Sequence, residues 1–372
     1  MKYHKISNEF LSQLRAIVPE DAIKSHSDEL QAHSRDYTED LCFLPEIVVF
    51  PATSTEVAAI ARLCNQHLIP LTTRGAGTGL SGGCLPVHGG VVLAMSGMNK
   101  ILEIDTNNMQ ARLQPGVVNQ ELKNAVEAYD LYYPPDPASL GSCFIGGNVA
   151  HASGGPRAVK YGTTKDYILN LQVALPSGEL FWTGANTLKN STGYNLTQLM
   201  IGSEGTLGIV TEIVVKLVPK PTRKMLLFTR FAKAQDACAF IPALLKRGVV
   251  PSALEFMETL AVQIAANELN VNVLTDGIEA FVLIEVDGFD ENLLMKDCEV
   301  IYEVLESYNA METELAETSA QQESLWKLRR VMGEAVKKYA TYKEEDTVVP
   351  RFELPRLFAK VKELEKIYGF QS

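Results

Sequence analysis

Glycine is spread unevenly enough to divide this chain by itself. None of the 26 glycines precedes Gly75, twenty-one lie from Gly75 to Gly208, and five follow. Glycine loses more backbone freedom on folding than any other residue. A chain that concentrates it needs left-handed turns, or backbone that comes close to something. Past residue 220 the sequence is instead rich in Glu, Lys, Leu and Ala at helical spacing. Val218-Pro219-Lys220-Pro221, with two prolines ending a strand, reads as the linker. The expected domains are residues 1–220 and 221–372, a division that suits a chain of 372 residues.

Composition narrows the function classes. With 46% hydrophobic and 21% charged residues, the chain has ample material for ordinary globular cores. A net charge of −11 argues against nucleic acid as a partner, because phosphate backbones need a basic surface. An anionic cofactor or substrate is still compatible, since a few placed cations and N–H groups suffice locally. The six cysteines form no Cys-x-x-Cys pair and read as reduced thiols of a cytoplasmic protein. Residues 1–14 hold no apolar h-region, and no apolar run approaches eighteen residues. Contact with the inner face of a membrane, or with a partner subunit, stays open.

The elements follow from periodicity. Ile47–Phe50 is a buried strand, Thr53-x-x-Glu56 a capping box, and Val57, Ile60, Ala61 and Cys64 one helical face. Ile69–Thr73 returns as a strand, so the crossover implies parallel pairing. Ile168–Leu175 and Leu180–Thr183 read as a hairpin about Pro-Ser-Gly, and Ile209–Leu217 alternates again. After the linker, strands are expected at 225–230, 254–257, 280–286 and 311–317. Helices are expected at 232–247, 258–269, 291–308, 319–339 and 354–368. That is an α+β domain with an antiparallel sheet backed by helices.

Three glycine clusters carry the chemistry. The first, Arg74-Gly-Ala-Gly-Thr-Gly-Leu-Ser-Gly-Gly83, follows a strand and contains a literal Gly-x-Gly-x-x-Gly. A Rossmann turn would open a helix here, but Ser81 to Gly90 holds four glycines and Pro86, which no helix tolerates. No Lys-Ser/Thr follows the last glycine, so a Walker loop fails too. Two readings remain: a surface turn, or a loop whose successive N–H groups cup a diphosphate without a helix behind them. The second cluster is Pro134-Pro-Asp-Pro-Ala-Ser139 with Ile145-Gly-Gly-Asn148 and Ser153-Gly-Gly-Pro156. It reads as a rigid loop whose paired glycines let backbone approach a flat ring. The third, Gly202-Ser-Glu-Gly-Thr-Leu-Gly-Ile209, is a tight turn feeding a strand.

In type and order these segments resemble the FAD-linked oxidases of the vanillyl-alcohol-oxidase type, which have a PCMH-type FAD-binding domain. Within them the likeness is nearest to D-lactate dehydrogenases and the catalytic subunit of glycolate oxidase. It covers roughly Tyr37 to the C-terminus. The resemblance implies an α+β fold: a PCMH-type domain of two α+β subdomains, then an antiparallel-sheet cap domain backed by helices. By position, Arg74, Gly75, Ala76, Gly77, Thr78, Gly79, Ser81 and Gly82 would wrap the FAD pyrophosphate. Pro135, Asp136, Ser139, Gly146, Gly147 and Asn148 would line the flavin and ribityl chain. Gly154, Gly162, Glu204, Gly205 and Ile209 would complete the shell. Relatives with covalent flavin often carry a His in the first loop. This loop has none, so non-covalent FAD is expected, and His88 lies past the loop.

On the substrate side, Leu325-Trp-Lys-Leu-Arg-Arg330 resembles the family's Trp-x-x-Arg segment, whose Arg, here Arg329, clamps the substrate carboxylate. Lys343 would be a second cation, and Glu345-Asp-Thr-Val-Val-Pro350 resembles a family strand. Gly333 stands where certain hydroxyglutarate-type relatives carry Thr, which counts against a long dicarboxylate. All six histidines precede residue 152. The family's later histidine segments, used by some members for metal and proton abstraction, have no match. The chain thus looks cut short before them, with no metal site expected, slow or absent turnover, and His151 as the one substitute near the flavin. The resemblance implies a small D-2-hydroxy acid as substrate and a cytochrome, quinone or protein carrier as electron acceptor. The alternatives are a non-catalytic FAD-carrying subunit and a sugar or alditol oxidase.

Overall fold

Thr53 shows how local chemistry starts the architecture. Its hydroxyl accepts the Glu56 N–H at 3.2 Å, while the Glu56 carboxylate reaches past it to the N–H of Ala52 at 2.7 Å. The cap is therefore present, but its return bond closes one residue early. In the computed structural model, which describes residues 3–38 and 40–372, the chain forms two compact units. These are Met1–Gly155 with Gly162–Lys220, and Pro156–Tyr161 with Pro221–Ser372.

The first unit begins with α1 (Asn8–Arg15), β1 (Ile23–Lys24) and α2 (Ser27–Ala32), followed by β2 (Ile47–Val49), α3 (Ser54–His67), β3 (Leu71–Arg74) and β4 (Val91–Ala94). These strands form a sheet in the order β1-β2-β4-β3. Both β2 and β3 run parallel to β4, which lies between them, so the expected crossover has the right direction but β2 and β3 do not pair directly. The physical reason is burial: β2 and β4 are buried throughout and take the two positions bonded on both edges, while half-buried β3 takes an edge. Below the sheet, Val57, Ile60 and Cys64 of α3 pack with Phe10 and Leu14 of α1.

A second, wholly antiparallel sheet follows, built from β5 (Ile101–Asp105), β6 (Gln110–Leu113), β8 (Ile168–Ala174), β9 (Leu180–Trp182) and β10 (Ile209–Lys216) in the order β5-β6-β10-β8-β9. Short β7 (Leu131–Tyr132) pairs with β11 (Val218–Pro219). Helices α4 (Asn119–Glu127), α5 (Ile145–His151), α6 (Ala158–Tyr161) and α7 (Leu196–Met200) lie between the strands in sequence, and α6 belongs to the second unit. The first unit is thus two α+β layers joined through the glycine-rich segments.

In the second unit β12 (Arg223–Phe231), β13 (Ala253–Glu258), β14 (Ala280–Gly288) and β15 (Ala310–Ala316) form an antiparallel sheet in the order β13-β14-β12-β15. Between and after them run α8 (Ala234–Lys246), α9 (Thr259–Leu269), α10 (Glu291–Ser307), α11 (Ser319–Tyr339) and α12 (Leu354–Tyr368). Central β14 is buried through residues 280–287 because both its faces are covered. Its Val282 and Ile284 pack with α8 and α10, and its Phe281 and Leu283 with α9 and α11. The strand expected from its resemblance at 345–350 is absent: residues 341–350 hold no regular structure, and exposed Val348 meets no sheet edge.

Candidate active site

Arg74 ends β3 with its side chain turned inward. It is 7% exposed, and its Nη1 lies 3.3 Å from Cys84 Sγ. Burial lifts the Cys84 thiol above its ordinary value, with Arg74 pulling it down and Asp36 pushing it up. The guanidinium lies beneath Gly77, whose φ is +74°, and a Cβ there would run into it. Only glycine fits this position without strain. Beyond it, none of the N–H groups from Ala76 to Gly83 donates to another described residue. Such a run of unused donors, including those of Thr78, Gly79, Ser81 and Gly82, is what a diphosphate would accept from.

The second cluster meets the first at Gly75, where a Cβ would stand 3.6 Å from the Cα of Gly147. Gly146, Gly147 and Asn148 lie in α5, not in the loop that their paired glycines suggest. Tertiary bonds explain the helix: Ile145 and Gly146 donate to the carbonyls of Val117 and Pro115 at 2.9 and 2.8 Å, replacing first-turn partners. Gly146 is forced by contact, because its Cβ would strike Pro115. Gly147 has no such reason. Nothing lies within 4 Å of its Cβ position, and its N–H donates to no described residue. Buried Asn148 accepts from Asn119 Nδ2 at 3.1 Å and lies 3.6 Å from the thiol of Cys143. Motif reading missed Asn119, which carries no motif signal.

Pro135 is buried. Asp136 fixes the loop's approach to the glycines after α5, since a Cβ on Gly155 would strike its carbonyl. The carbonyl of Ser139 accepts from Ser142 and Cys143, both at 2.8 Å, closing the loop on itself. Gly154 makes ordinary contact with Thr163. Gly162 has a local explanation: at φ +83° it leaves room for Asp166, which caps the turn through Thr163 N–H at 2.7 Å.

The third turn joins the other side. Glu204 and Gly205 are both left-handed, φ +50° and +76°, a strained conformation for a glutamate. The Glu204 carboxylate meets His151 Nδ1 at 3.1 Å and lies 3.4 Å from the Cβ position of Gly83. A cavity of about 370 Å3 opens here, lined by Cys64, Thr72, Gly83, Glu204, Gly205 and Ile209 among others. A larger cavity of about 720 Å3, lined by residues such as Asp105, Arg112 and Trp182, holds none of the sequence-predicted residues.

Open space at Gly79, Gly147 and Gly205, unused donors, and a cavity beside them make these loops a fitting cradle for a flavin dinucleotide. In the second unit, Arg329 lies on α11 and pairs through Nε with Glu255 at 2.5 Å. Exposed Lys343 pairs with Glu345 at 2.7 Å. The two cations are held by different carboxylates.

Residues 45–184 match the model of the FAD binding domain, and residues 220–372 that of the FAD linked oxidases, C-terminal domain. The chain is 36% identical over 351 residues to glycolate oxidase subunit GlcD of Bacillus subtilis (strain 168), covering 94% of this chain and 74% of that protein. It is 36% identical over 381 residues to D-lactate dehydrogenase of Anaerostipes hadrus, covering 100% and 79%. Among solved structures, an alkyldihydroxyacetonephosphate synthase superposes with a TM-score of 0.80 at 20% identity, covering 99% of this chain and 77% of that one. Substrate-bound p-cresol methylhydroxylase gives 0.71 at 17% identity, covering 87% and 68%. At those identities the structural likeness is one of fold, the PCMH-type α+β fold. By its two domain matches and its relatives, the chain belongs to the FAD-linked oxidases, flavoprotein oxidoreductases whose cofactor is FAD.

Proposed function

We propose that the chain oxidises a small D-2-hydroxy acid of the lactate or glycolate class to the 2-oxo acid. The observation that carries this is the 36% identity, running through both halves of the chain, to a glycolate oxidase subunit and a D-lactate dehydrogenase. In this reading residues 1–220 bind FAD without a covalent link and residues 221–372 form the substrate and cap domain. When bound, FAD supplies the hydride acceptor for the C2 hydrogen.

The first loop, Arg74 to Gly79 with Ser81 and Gly82, holds the diphosphate through its N–H groups. Pro135, Asp136, Ser139, Gly146, Gly147 and Asn148 flank the ring and ribityl chain. Gly154, Gly162, Glu204, Gly205 and Ile209 close the shell. Arg329 clamps the substrate carboxylate, for which its planar fork suits better than an ammonium. To do so it must share or leave Glu255. Lys343 adds a second positive charge. The hydroxyl proton needs an acceptor, and His151 beside Glu204 is the one histidine at the cofactor loops. Reducing equivalents then leave to a cytochrome, quinone or protein carrier.

A second reading, an FAD-carrying subunit without turnover, is favoured by one observation: both proposed substrate cations already pair with glutamates. An anaerobic panel of D- and L-2-hydroxy acids against flavin-loaded protein separates the two. Bleaching near 450 nm by D-lactate or glycolate supports the enzyme, whereas unchanged colour with every acid sinks it.

A further inference from the structure

Residues 34–38, together with Leu41, meet the first glycine loop although no motif marks them. Tyr37 donates its N–H to the carbonyl of Gly79 at 3.1 Å. Asp36 turns the chain by accepting the N–H of Thr38 at 2.8 Å. Thr38 Oγ1 then lies 4.0 Å, and Leu41 Cδ1 3.9 Å, from the Cβ position of Gly82. At its other end the same stretch is tied to the loop through Cys84, whose sulfur lies 3.8 Å from Asp36 Oδ2 and 3.3 Å from Arg74 Nη1.

One atom in this arrangement has no partner among the described residues. Thr38 Oγ1 is shut off from water, and no described residue bonds to it. A buried hydroxyl without a partner carries an uncompensated desolvation cost. It faces the same loop whose N–H groups also lack acceptors, so the missing partner is an acceptor common to both. A phosphate oxygen is such an acceptor, and a hydroxyl bonded to it makes a charge-assisted bond.

We propose that residues 34–38 form a strap over the cofactor loop and that the Thr38 hydroxyl donates to the diphosphate of the bound dinucleotide. This rests on the loop being the diphosphate cradle, and it adds a side-chain donor from outside every glycine cluster.

The test titrates deflavinated full-length protein with FAD, followed by flavin fluorescence, with ADP and adenosine as competitors. Thr38→Val keeps the side chain's shape and removes the hydroxyl. It is expected to raise the FAD dissociation constant about tenfold, roughly 1.4 kcal/mol. Competition by ADP should weaken by the same factor, competition by adenosine should not change, and Thr38→Ser should behave as wild type. Equal FAD affinity in Thr38→Val and wild type overturns the strap while leaving the cofactor reading intact. A loss that falls equally on adenosine, or that serine does not restore, overturns it as well, since packing then explains the effect. Wild-type protein that takes up no flavin overturns the cofactor reading itself.

Discussion

Glu285 sits on β14 with its side chain 1% exposed and three donors around it. Arg157 Nη1 lies at 2.5 Å, Trp326 Nε1 at 2.9 Å and Ser252 Oγ at 3.0 Å. Next along the same face, Asp287 accepts from Lys160 at 2.6 Å and from Tyr161 at 2.8 Å. Burial pushes the Glu285 carboxyl up, but Arg157 and the indole N–H outweigh it and hold the group below its ordinary value. A carboxyl with a depressed folded value stabilises fully above its unfolded value, near 4.3, and loses that contribution as pH falls through the folded value. Glu285→Gln should therefore cost about 3 kcal/mol near neutrality by removing the nearer of the two carboxylates beside Arg157, Asp287 being the other at 3.9 Å. Urea melts of both proteins from pH 6 to 3 should show the gap shrinking in acid, and a gap independent of pH would contradict this assignment. Sequence reading could not find the group, because the acid stands in an apolar strand and its cation lies 128 positions away. Trp326 and Arg329 could be picked out in the sequence because only two residues stand between them within a single motif.

At the scale of elements, α5 divides packing from binding within two adjacent glycines. Gly146→Ala must push against Pro115, whereas Gly147→Ala adds a methyl to open space and removes a helix-weakening residue. The expectation is a stability loss of about 1–3 kcal/mol for the first. For the second, stability should be unchanged or raised by about 0.5–1 kcal/mol, with FAD affinity reduced. Thermal melts and flavin titration of both variants check this, and a Gly147→Ala protein that binds FAD normally would remove α5 from the cofactor site. The same helix marks where pattern reading stops. Helices α8 to α12 lie within two residues of their expected spans because apolar periodicity specifies them. In α5 the glycines speak against a helix, and only the carbonyls of Pro115 and Val117 restore it. The placement of β4 between β2 and β3 is likewise a non-local choice that no window along the chain contains.

For the whole molecule, a ligand that binds only the folded state stabilises it by mass action. FAD at a hundredfold its dissociation constant should add about 2.7 kcal/mol to the unit that binds it. Calorimetry of flavin-loaded and deflavinated protein reads this as a rise in the first unit's melting transition, and superimposable traces would count against a cradle there. The glycine contrast between the two halves was visible in the sequence, but one of its details was not. Pro156–Tyr161 belongs to the second unit although its flanks belong to the first, so the polypeptide changes body three times. A chimera spliced at Lys220 alone would pair a resident Arg157 and Lys160 with a foreign strand in place of β14. Grafting a homologue's C-terminal half would therefore require transplanting the six-residue patch 156–161 with it, and the same linked inheritance would bind the two segments in evolution.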